Sequence, residues 1–280
     1  MTGSGSLAVV VPLKGGPLAK SRLDLPAGVR VRLAEAFARD TLAAVVADLP
    51  DALLVVVTGD ARTAAWCGDL AEVVGDPGGG LDAAVRSGLG YARSRGHRRA
   101  AVLLGDHPAL RPGELAEAVG HPGPAVVPDA DGTGTALLLV ALDAGLPVTA
   151  FGPGSAAAHE ALGHRRVDLD LPGLRTDVDD APSLHRALRL GVGDATRAAL
   201  RRVTLPGVQA TIHRAPDEQG HGGSALLDDG TQVAVPRESL ADSGLLHLRV
   251  GQRVTVELDD DGRTCRRAWI AGIGPGRPVG

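Results

Sequence analysis

Three short apolar runs, residues 7–11, 53–57 and 100–104, constrain this chain more than any other feature. Each is rich in valine, leucine or alanine and too short for a helix. Each also stops at loop residues: Pro12 after the first, Thr58-Gly59-Asp60 after the second, Gly105-Asp106 after the third. Runs of this length, with no polar alternate, suit strands buried on both faces. Between them lie segments with helical apolar spacing: residues 31–47 through Leu33, Phe37, Leu42 and Val45, then 61–70, then 81–95. Strand and helix in alternation predict an α/β fold with a doubly wound, mostly parallel sheet. Ligands of such sheets bind beyond the carboxyl ends of the strands, so the loops there carry the functional reading.

The first of these loops follows the first strand in the stretch VVVPLKGGPLAKSRL, residues 9–23. Pro12 ends the ladder, and Gly15-Gly16 lets the backbone turn with its N–H groups exposed, as a loop wrapping an anion must. Lys14 and Lys20 add charge. They are the only two lysines in the sequence, against 27 arginines (29 Lys+Arg less 2). A compact, strongly hydrated point charge suits a triphosphate where bidentate geometry is not wanted. Two solvated lysines on a surface turn are the bland alternative; the strand–glycine-loop context weighs against it.

A second glycine loop, GDPGGGLD over residues 75–82, leads into the helix at 81–95 and holds Asp76, Gly78, Gly79, Gly80 and Asp82. A third loop places Asp106 directly after a buried strand. Mg²⁺ is usually held by one or two carboxylates together with substrate phosphates, and Asp106 is placed for that. His107 beside it could contact phosphate, although a lone histidine next to proline is more often incidental.

Farther on, strands at 125–127 and 136–140 flank PDADGTGT, residues 128–135. FGPGSAAAH, residues 151–159, is a tight turn feeding a helix that begins near Ser155. The GTGT run offers hydroxyls and unencumbered amides, and Gly152 with Ser155 marks a helix N-terminus that favours a phosphate or carboxylate. Together they outline a pocket for a small anionic acceptor, with plain turn chemistry as the alternative. His159 either faces that pocket or packs. A strand is expected at 167–171, then the acidic run DVDD. On an extended segment the carboxylates of Asp177 and Asp179 face one side, and with Asp106 they could hold Mg²⁺ against a triphosphate. Helix capping ahead of Pro182 is the competing role. Helices at 181–190 and 191–203 close this part.

The pattern changes near Pro206-Gly207. Five short strands follow, at 208–212, 223–227, 232–235, 254–258 and 268–270, separated by turns such as Asp228-Asp229-Gly230 and Asp261-Gly262. They read as a small barrel. The chain therefore divides into a nucleotide-handling domain at 1–205 and a barrel at 206–280, with a flexible tail, GIGPGRPVG, at its end.

Composition narrows the function classes. Aromatic content of 2% and a net charge of −4 count against a general polyanion binder and against base stacking. Cys67 and Cys265 show no CxxC spacing, so neither a zinc site nor a disulfide framework is expected, and a reducing cytoplasm fits. The start MTGSGS has no basic leader segment and no apolar run approaches ~20 residues, so export and membrane insertion are not expected.

Six ordered motifs then carry a resemblance: PLKGGPLAKSRL, DPGGGLDAA, LLGDHPALRPGEL, DGTGTALL, FGPGSAAAH and RTDVDDAPSL. In this order they resemble the phosphoenolpyruvate / 2-phospho-L-lactate guanylyltransferases, which make the phosphoanhydride precursor of the deazaflavin redox coenzyme. The likeness spans residues 7–202. It implies a nucleotide-diphosphosugar-transferase-like fold, with GTP held by Pro12, Lys14, Lys20, Asp76, Gly79, Gly80 and Asp82. It implies Mg²⁺ on Asp106, Asp177 and Asp179, the small phosphate acid on Thr135, Gly152 and Ser155, and Lys14, Lys20 and Asp106 as the catalytic set. It also offers the next transferase of the pathway as a candidate partner. The chain departs from the family at Asp82, where asparagine is usual and one base or ribose contact is at stake, and at His107, where leucine is usual.

The C-terminal part resembles a cold-shock-like OB barrel, notably over VAVPRESLADSGLLHLRVGQRVTVEL, residues 233–258. Such barrels bind single strands through aromatics and basic residues. Residues 207–280 hold eight arginines against ten acidic residues, and Trp269 is their one aromatic. Without a stacking platform the barrel reads as a packing or protein-contact module, and nucleic acid is not an expected partner. The reaction expected is transfer of GMP from GTP to phosphoenolpyruvate. Alternatives are the same reaction on phospholactate, a same-fold nucleotidyltransferase with another phosphate acceptor, and a non-catalytic nucleotide- or RNA-binding regulator.

Overall fold

The computed structural model describes residues 7–14, 20, 22–23, 25–201, 207–217, 222–241, 248–259 and 262–270. The Gly15-Gly16 turn, Pro206, Asp261 and the tail at 272–280 lie outside the described residues. The chain divides into two compact units: Met1–Ser21 with Pro26–Val178 and Val192–Arg201, and Arg22–Leu25 with Asp179–Gly191 and Arg202–Gly280.

In the first unit β1 (Leu7–Pro12) leads to α1 (Ala27–Asp48), β2 (Leu53–Thr58), α2 (Ala61–Cys67), β3 (Glu72–Gly75), α3 (Leu81–Ser94) and β4 (Arg99–Leu103). Then come α4 (Glu114–Val119), β5 (Ala125–Pro128), β6 (Thr135–Ala141), α5 (Ser155–Ala161), β7 (Arg165–Arg166) and α6 (Pro172–Arg175). The sheet order is β3-β2-β1-β4-β6-β5-β7. Pairing is parallel from β3 through β4 and between β5 and β7, and antiparallel where β6 meets β4 and β5. The expected α/β architecture is therefore present, with β6 reversed between two parallel blocks.

Strand periodicity distributes the valines over two faces. Val9 and Val11 join Leu42 and Val45 of α1 and Leu115 of α4 on one side. Ala8 and Val10 join Val85 and Leu89 of α3 on the other. Gly88 of α3 lies so close to Val10 and Val57 that a Cβ there would collide with both side chains. The helix can thus sit tightly on the sheet, and α1 and α3 hold β1 from opposite faces.

The strand expected at 167–171 does not form. Its apolar alternates Val167 and Leu171 are buried in the core, but only the Val167 N–H bonds the Val126 carbonyl (2.9 Å) beyond the two-residue β7. Pro172 then opens α6 in its first turn. Burial satisfies the apolar pattern here without a ladder. α8 (Asp194–Leu200) belongs to this unit: Asp40 of α1 accepts from the Ala195 and Thr196 amides at 3.0 and 2.8 Å.

The second unit combines α7 (Ala181–Leu190) with β8 (Val208–Arg214), β9 (Gly223–Leu227), β10 (Gln232–Val235), a 3₁₀ turn (Arg237–Leu240), β11 (Arg253–Leu258) and β12 (Cys265–Ile270). The strands run in the order β10-β9-β8-β11-β12. A parallel bridge between Ala234 and Thr264 links the two ends, with the Ala234 N–H on the Arg263 carbonyl at 2.9 Å. This curled five-stranded antiparallel sheet is a half-barrel consistent with an OB-like domain, filled by Val208, Ile212, Val233, Val235, Val254 and Val256 among others. Ala181 packs against that core, and Arg189 pairs with Asp229 at 2.7 Å.

Candidate active site

β1 and β4 are hydrogen-bonded neighbours whose connections leave toward opposite sides of the sheet order. That is a topological switch point, where a crevice opens beyond the strand ends. Lys14, exposed, follows β1, and Asp106 follows β4 three residues beyond Leu103. The Lys20 ammonium donates to Asp106 Oδ2 at 2.5 Å, and both side chains are largely buried. Lys20 reaches this position with φ +51°, the left-handed region that residues with a Cβ seldom occupy. Strain of this kind is a mark of functional sites.

Burial alone would push the Asp106 carboxyl up. The Lys20 ammonium above all, with His107 beside it, outweighs burial and holds the group below the usual carboxylate range. Asp106 is therefore ionised at neutral pH. Its second oxygen, Oδ1, is buried, and among the described residues no donor reaches it within hydrogen-bond distance. A buried carboxylate oxygen left this way carries a desolvation cost that a cation removes. The Asp177 carboxylate offers an oxygen within 4.8 Å of one from Asp106. The Val178 N–H on the Asp106 carbonyl (2.9 Å) ties that segment to the β4 edge. Two hard oxygen ligands at a sheet edge fit Mg²⁺. Asp179, two residues along, opens the second unit. There its N–H donates to Ser183 Oγ at 3.0 Å, and Arg22 lies 3.7 Å from its carboxylate. Asp180, not Asp177 or Asp179, caps α7 through a capping box with Ser183.

His107 is buried rather than phosphate-facing. Its backbone N–H donates to Thr41 Oγ1 (3.1 Å), and its ring Nε2 lies 3.8 Å from Asp106 Oδ1.

The glycine loop before α3 holds Gly78, Gly79 and Gly80 at φ +77°, +87° and +97°. Three successive left-handed residues are accessible only to glycine at acceptable cost. The Asp76 carboxylate accepts from the Gly78 N–H at 2.9 Å and fixes the turn. Among the described residues nothing accepts from the Gly79 and Gly80 amides.

The 128–135 loop differs from the sequence expectation. Its amides are not free: Thr133 and Gly134 donate to the two oxygens of Asp129 (2.9 and 2.8 Å), and Gly132 donates to the Asp129 carbonyl (3.1 Å). The α5 end is likewise spent, Ser155 N–H on the Gly152 carbonyl and Ala156 N–H on the Thr133 carbonyl, both 3.1 Å. An aspartate just ahead of Gly-Thr-Gly is a loop-closing signal, and that signal outweighs the open-amide reading. Arg175 fixes the same loop from outside, donating to the Pro128, Asp129 and Leu169 carbonyls.

What remains on this side is the Thr135 hydroxyl. Register places it at the proper edge: Leu137 pairs with Leu103, so the start of β6 lies where β4 ends. His159, fully buried, meets Thr135 Oγ1 through Nδ1 at 3.0 Å and accepts the Ala150 N–H on Nε2 at 3.0 Å. Burial first, then the neighbouring His164, lowers its pKa to about 4 against the opposing pull of Asp82 and a backbone bond to Ser155. Asp82 accepts from Thr149 Oγ1 (2.6 Å) and from the Phe151 N–H (3.1 Å), so it docks the 149–151 segment onto α3. Local sequence signals neither Arg175 nor this use of Asp82; the position of Asp129 just before the glycines is the one signal of its role.

No family model matches the chain. It is 44% identical over 212 residues to "Phosphoenolpyruvate guanylyltransferase" of Streptomyces scabiei, a match covering 71% of this chain and 98% of that protein. The protein of the same name from Salinispora arenicola is 46% identical over 198 residues, 67% of this chain and 90% of the relative. "Phosphoenolpyruvate guanylyltransferase 2" of Rhodococcus jostii is 38% identical over 204 residues, 71% and 92%. Among solved structures, a nucleotide-diphospho-sugar transferase from Desulfovibrio desulfuricans superposes with TM-score 0.53 at 19% identity, covering 70% of this chain and 94% of that one. That likeness bears on fold. No described helix is long and apolar enough to cross a membrane.

Proposed function

This chain belongs to the phosphoenolpyruvate guanylyltransferase family, and on that premise we propose that it joins GMP from GTP to phosphoenolpyruvate, releasing pyrophosphate. The observation that carries the reading is the Lys20–Asp106 pair at the β1/β4 switch point, with one Asp106 oxygen left for a cation. A phosphate oxygen of the acid attacks the α-phosphorus of GTP in line. One P–O bond forms, the bond to the β-phosphate oxygen breaks, and the electron pair leaves on pyrophosphate. The nucleophile is already ionised, so no general base is required, and the work is positioning and charge neutralisation.

Lys14 and Lys20 are assigned to the triphosphate, and the glycine loop with Asp76 and Asp82 to the nucleotide side. The acid is assigned to Thr135 through its hydroxyl, with Gly152 and Ser155, whose own carbonyl–amide bond closes the turn beside it, as the adjoining wall. Asp106 and Asp177, with Asp179 next but one along the chain, would hold Mg²⁺; when bound, it supplies charge neutralisation at the phosphates. Lys20, by pairing with one Asp106 oxygen, fixes the direction of the other. Cys67 and Cys265, both free and buried, suit a reducing compartment, and we assign the enzyme to the cytoplasm. The domain division we propose is 1–205 for transfer and 206–280 for the barrel.

The test is pyrophosphate release from GTP with Mg²⁺, offering phosphoenolpyruvate and 2-phospho-L-lactate separately. Release dependent on phosphoenolpyruvate supports the reading. Release with phospholactate alone changes the acceptor, and no release with either from folded protein refutes the reaction.

A further inference from the structure

We propose that His159 is a positioning residue for the acceptor: held as the Nδ1–H tautomer, it makes the Thr135 hydroxyl accept from the ring, and so turns the Thr135 proton outward as a donor to an anionic oxygen of the bound acid. The proposal rests on the reading of Thr135 as an acceptor-side residue.

The tautomer follows from an obligatory donor. The Ala150 N–H can only donate, and it meets His159 Nε2 at 3.0 Å, so Nε2 presents its lone pair. A neutral imidazole carries one ring proton, which then sits on Nδ1. Nδ1 faces Thr135 Oγ1 at 3.0 Å. The hydroxyl therefore accepts there, and its single proton must point elsewhere. Among the described residues no second partner takes that proton, although Thr135 is 93% buried (7% exposed). A buried hydroxyl with one donor capacity unspent, at the sheet edge where β4 ends, is a donor waiting for a ligand.

The ring is held so that this outcome has no easy alternative. Phe151 packs edge-on at 4.9 Å between centroids, and His164 at 5.7 Å. His164 Nδ1 lies 3.2 Å from the His159 carbonyl. Asp82 draws in Thr149 and Phe151 from both sides of residue 150, which aims the Ala150 amide at the ring. Protonating His159 would set an Nε2–H against the Ala150 N–H; with burial and His164 opposing the charge, and Asp82 and Ser155 favouring it, the ring stays neutral well below neutral pH. The relay runs Asp82, residues 149–151, His159, Thr135, from the first turn of α3 to the first residue of β6.

Four variants and one spectrum test it in the full chain. Asparagine places an amide near the Nδ1 position and keeps a donor for Thr135; glutamine reaches the Nε2 position and does not. His159→Gln should raise the KM for phosphoenolpyruvate about tenfold, the loss of one aligned bond to a charged group, and leave the KM for GTP unchanged. His159→Asn should stay within about threefold of wild type, within the ordinary variation of such contacts. Thr135→Val should match His159→Gln, and the double variant should be no worse than Thr135→Val alone. Additive losses, equal rises in both KM values, or His159→Asn as poor as His159→Gln would overturn the proposal. Long-range ¹H–¹⁵N correlations of the wild-type imidazole should show Nδ1–H at neutral pH; an Nε2–H ring overturns it whatever the activity. Wild-type protein inert toward phosphoenolpyruvate would sink the reaction reading, while this proposal would still be decided by the tautomer.

Discussion

The two sides of the crevice are built in opposite ways. The side we assign to GTP, here the donor side, is Lys14 and the 76–80 loop: positive charge and glycine backbone, with the Gly79 and Gly80 amides given to no described residue. The side we assign to the acid, here the acceptor side, is residues 129–159: it spends its loop amides internally, on Asp129, Gly152 and Thr133, and holds the Thr135 hydroxyl against His159. A triphosphate is large and heavily charged, so a compliant, amide-rich loop suits it. A three-carbon acid offers few contacts, and specificity then depends on a few groups held rigidly. Asp106 stands between the two regimes, one oxygen committed to Lys20 and the other without a hydrogen-bond donor among the described residues.

Removing that junction has the largest expected effect. Asp106→Ala should lower kcat about a thousandfold, the scale seen when one preorganised charge partner is lost. It also strands Lys20, so thermal unfolding should be followed alongside. A variant that stays folded and retains wild-type kcat would mean that the two sides do not meet at Asp106.

The pH dependence of stability is the next largest. His159 titrates at about 4 when folded and near 6.5 unfolded. Between those values the unfolded chain binds a proton the folded chain does not. Stability is therefore fully present above about pH 6.5 and falls as pH drops toward 4. The loss attributable to this residue approaches about 3 kcal/mol. Burial lowers His164 and His185 too, so they act in the same direction. Urea midpoints at pH 7, 5.5 and 4.5 should therefore fall less steeply for His159→Asn than for wild type. Equal slopes would mean the acceptor side does not depend on a neutral ring.

Each side can also be loosened alone. Asp129→Ala removes the acceptor of the Thr133 and Gly134 amides. It should raise the phosphoenolpyruvate KM about tenfold with little change for GTP. Gly80→Ala, at φ +97°, should cost about 1–2 kcal/mol of backbone strain and raise the KM for GTP instead. Initial rates with each substrate varied separate the two. If both variants shift both constants equally, the crevice is one mechanical unit and the contrast fails.

How much of this was legible follows the same division. The donor side announces itself in local sequence: valine runs, a glycine triplet and two solitary lysines each carry a short-range physical meaning. Asp106 and Asp177 could be named, although their approach to within 4.8 Å is set by strand register and the Val178–Asp106 backbone bond, which no local pattern encodes. The GTGT and GPGS turns suggest an acceptor pocket with unencumbered amides, whereas those amides are engaged within the loops. Glycine loops look open until the carboxylate that fills them is recognised, and Asp129 stands in the same loop. Arg175 gave no signal, because an arginine that binds only carbonyls resembles any other arginine of the 27. Val167-Asp-Leu-Asp-Leu171 alternates like a strand, yet the pattern needed only burial. The barrel was legible strand by strand, since its turns are marked by Asp-Gly pairs. The grouping of α7 with it depends on the Arg189–Asp229 pair, forty residues apart.

The smallest expected effect is also the one that discriminates most finely between the two sides. Asp82 lies in the first turn of the donor-side helix, yet its Oδ1 accepts from Thr149 and Phe151 on the acceptor side. Asparagine keeps that oxygen and loses only the charge, so Asp82→Asn should alter either KM by no more than about threefold, within the variation of single contacts. Asp82→Ala removes both bonds, releases residue 150, and should raise the phosphoenolpyruvate KM more than that for GTP. A GTP-specific loss in Asp82→Asn, with the acid unaffected, would instead make Asp82 a direct nucleotide contact. The boundary between the two sides would then run between α3 and the 149–151 segment rather than through Asp82.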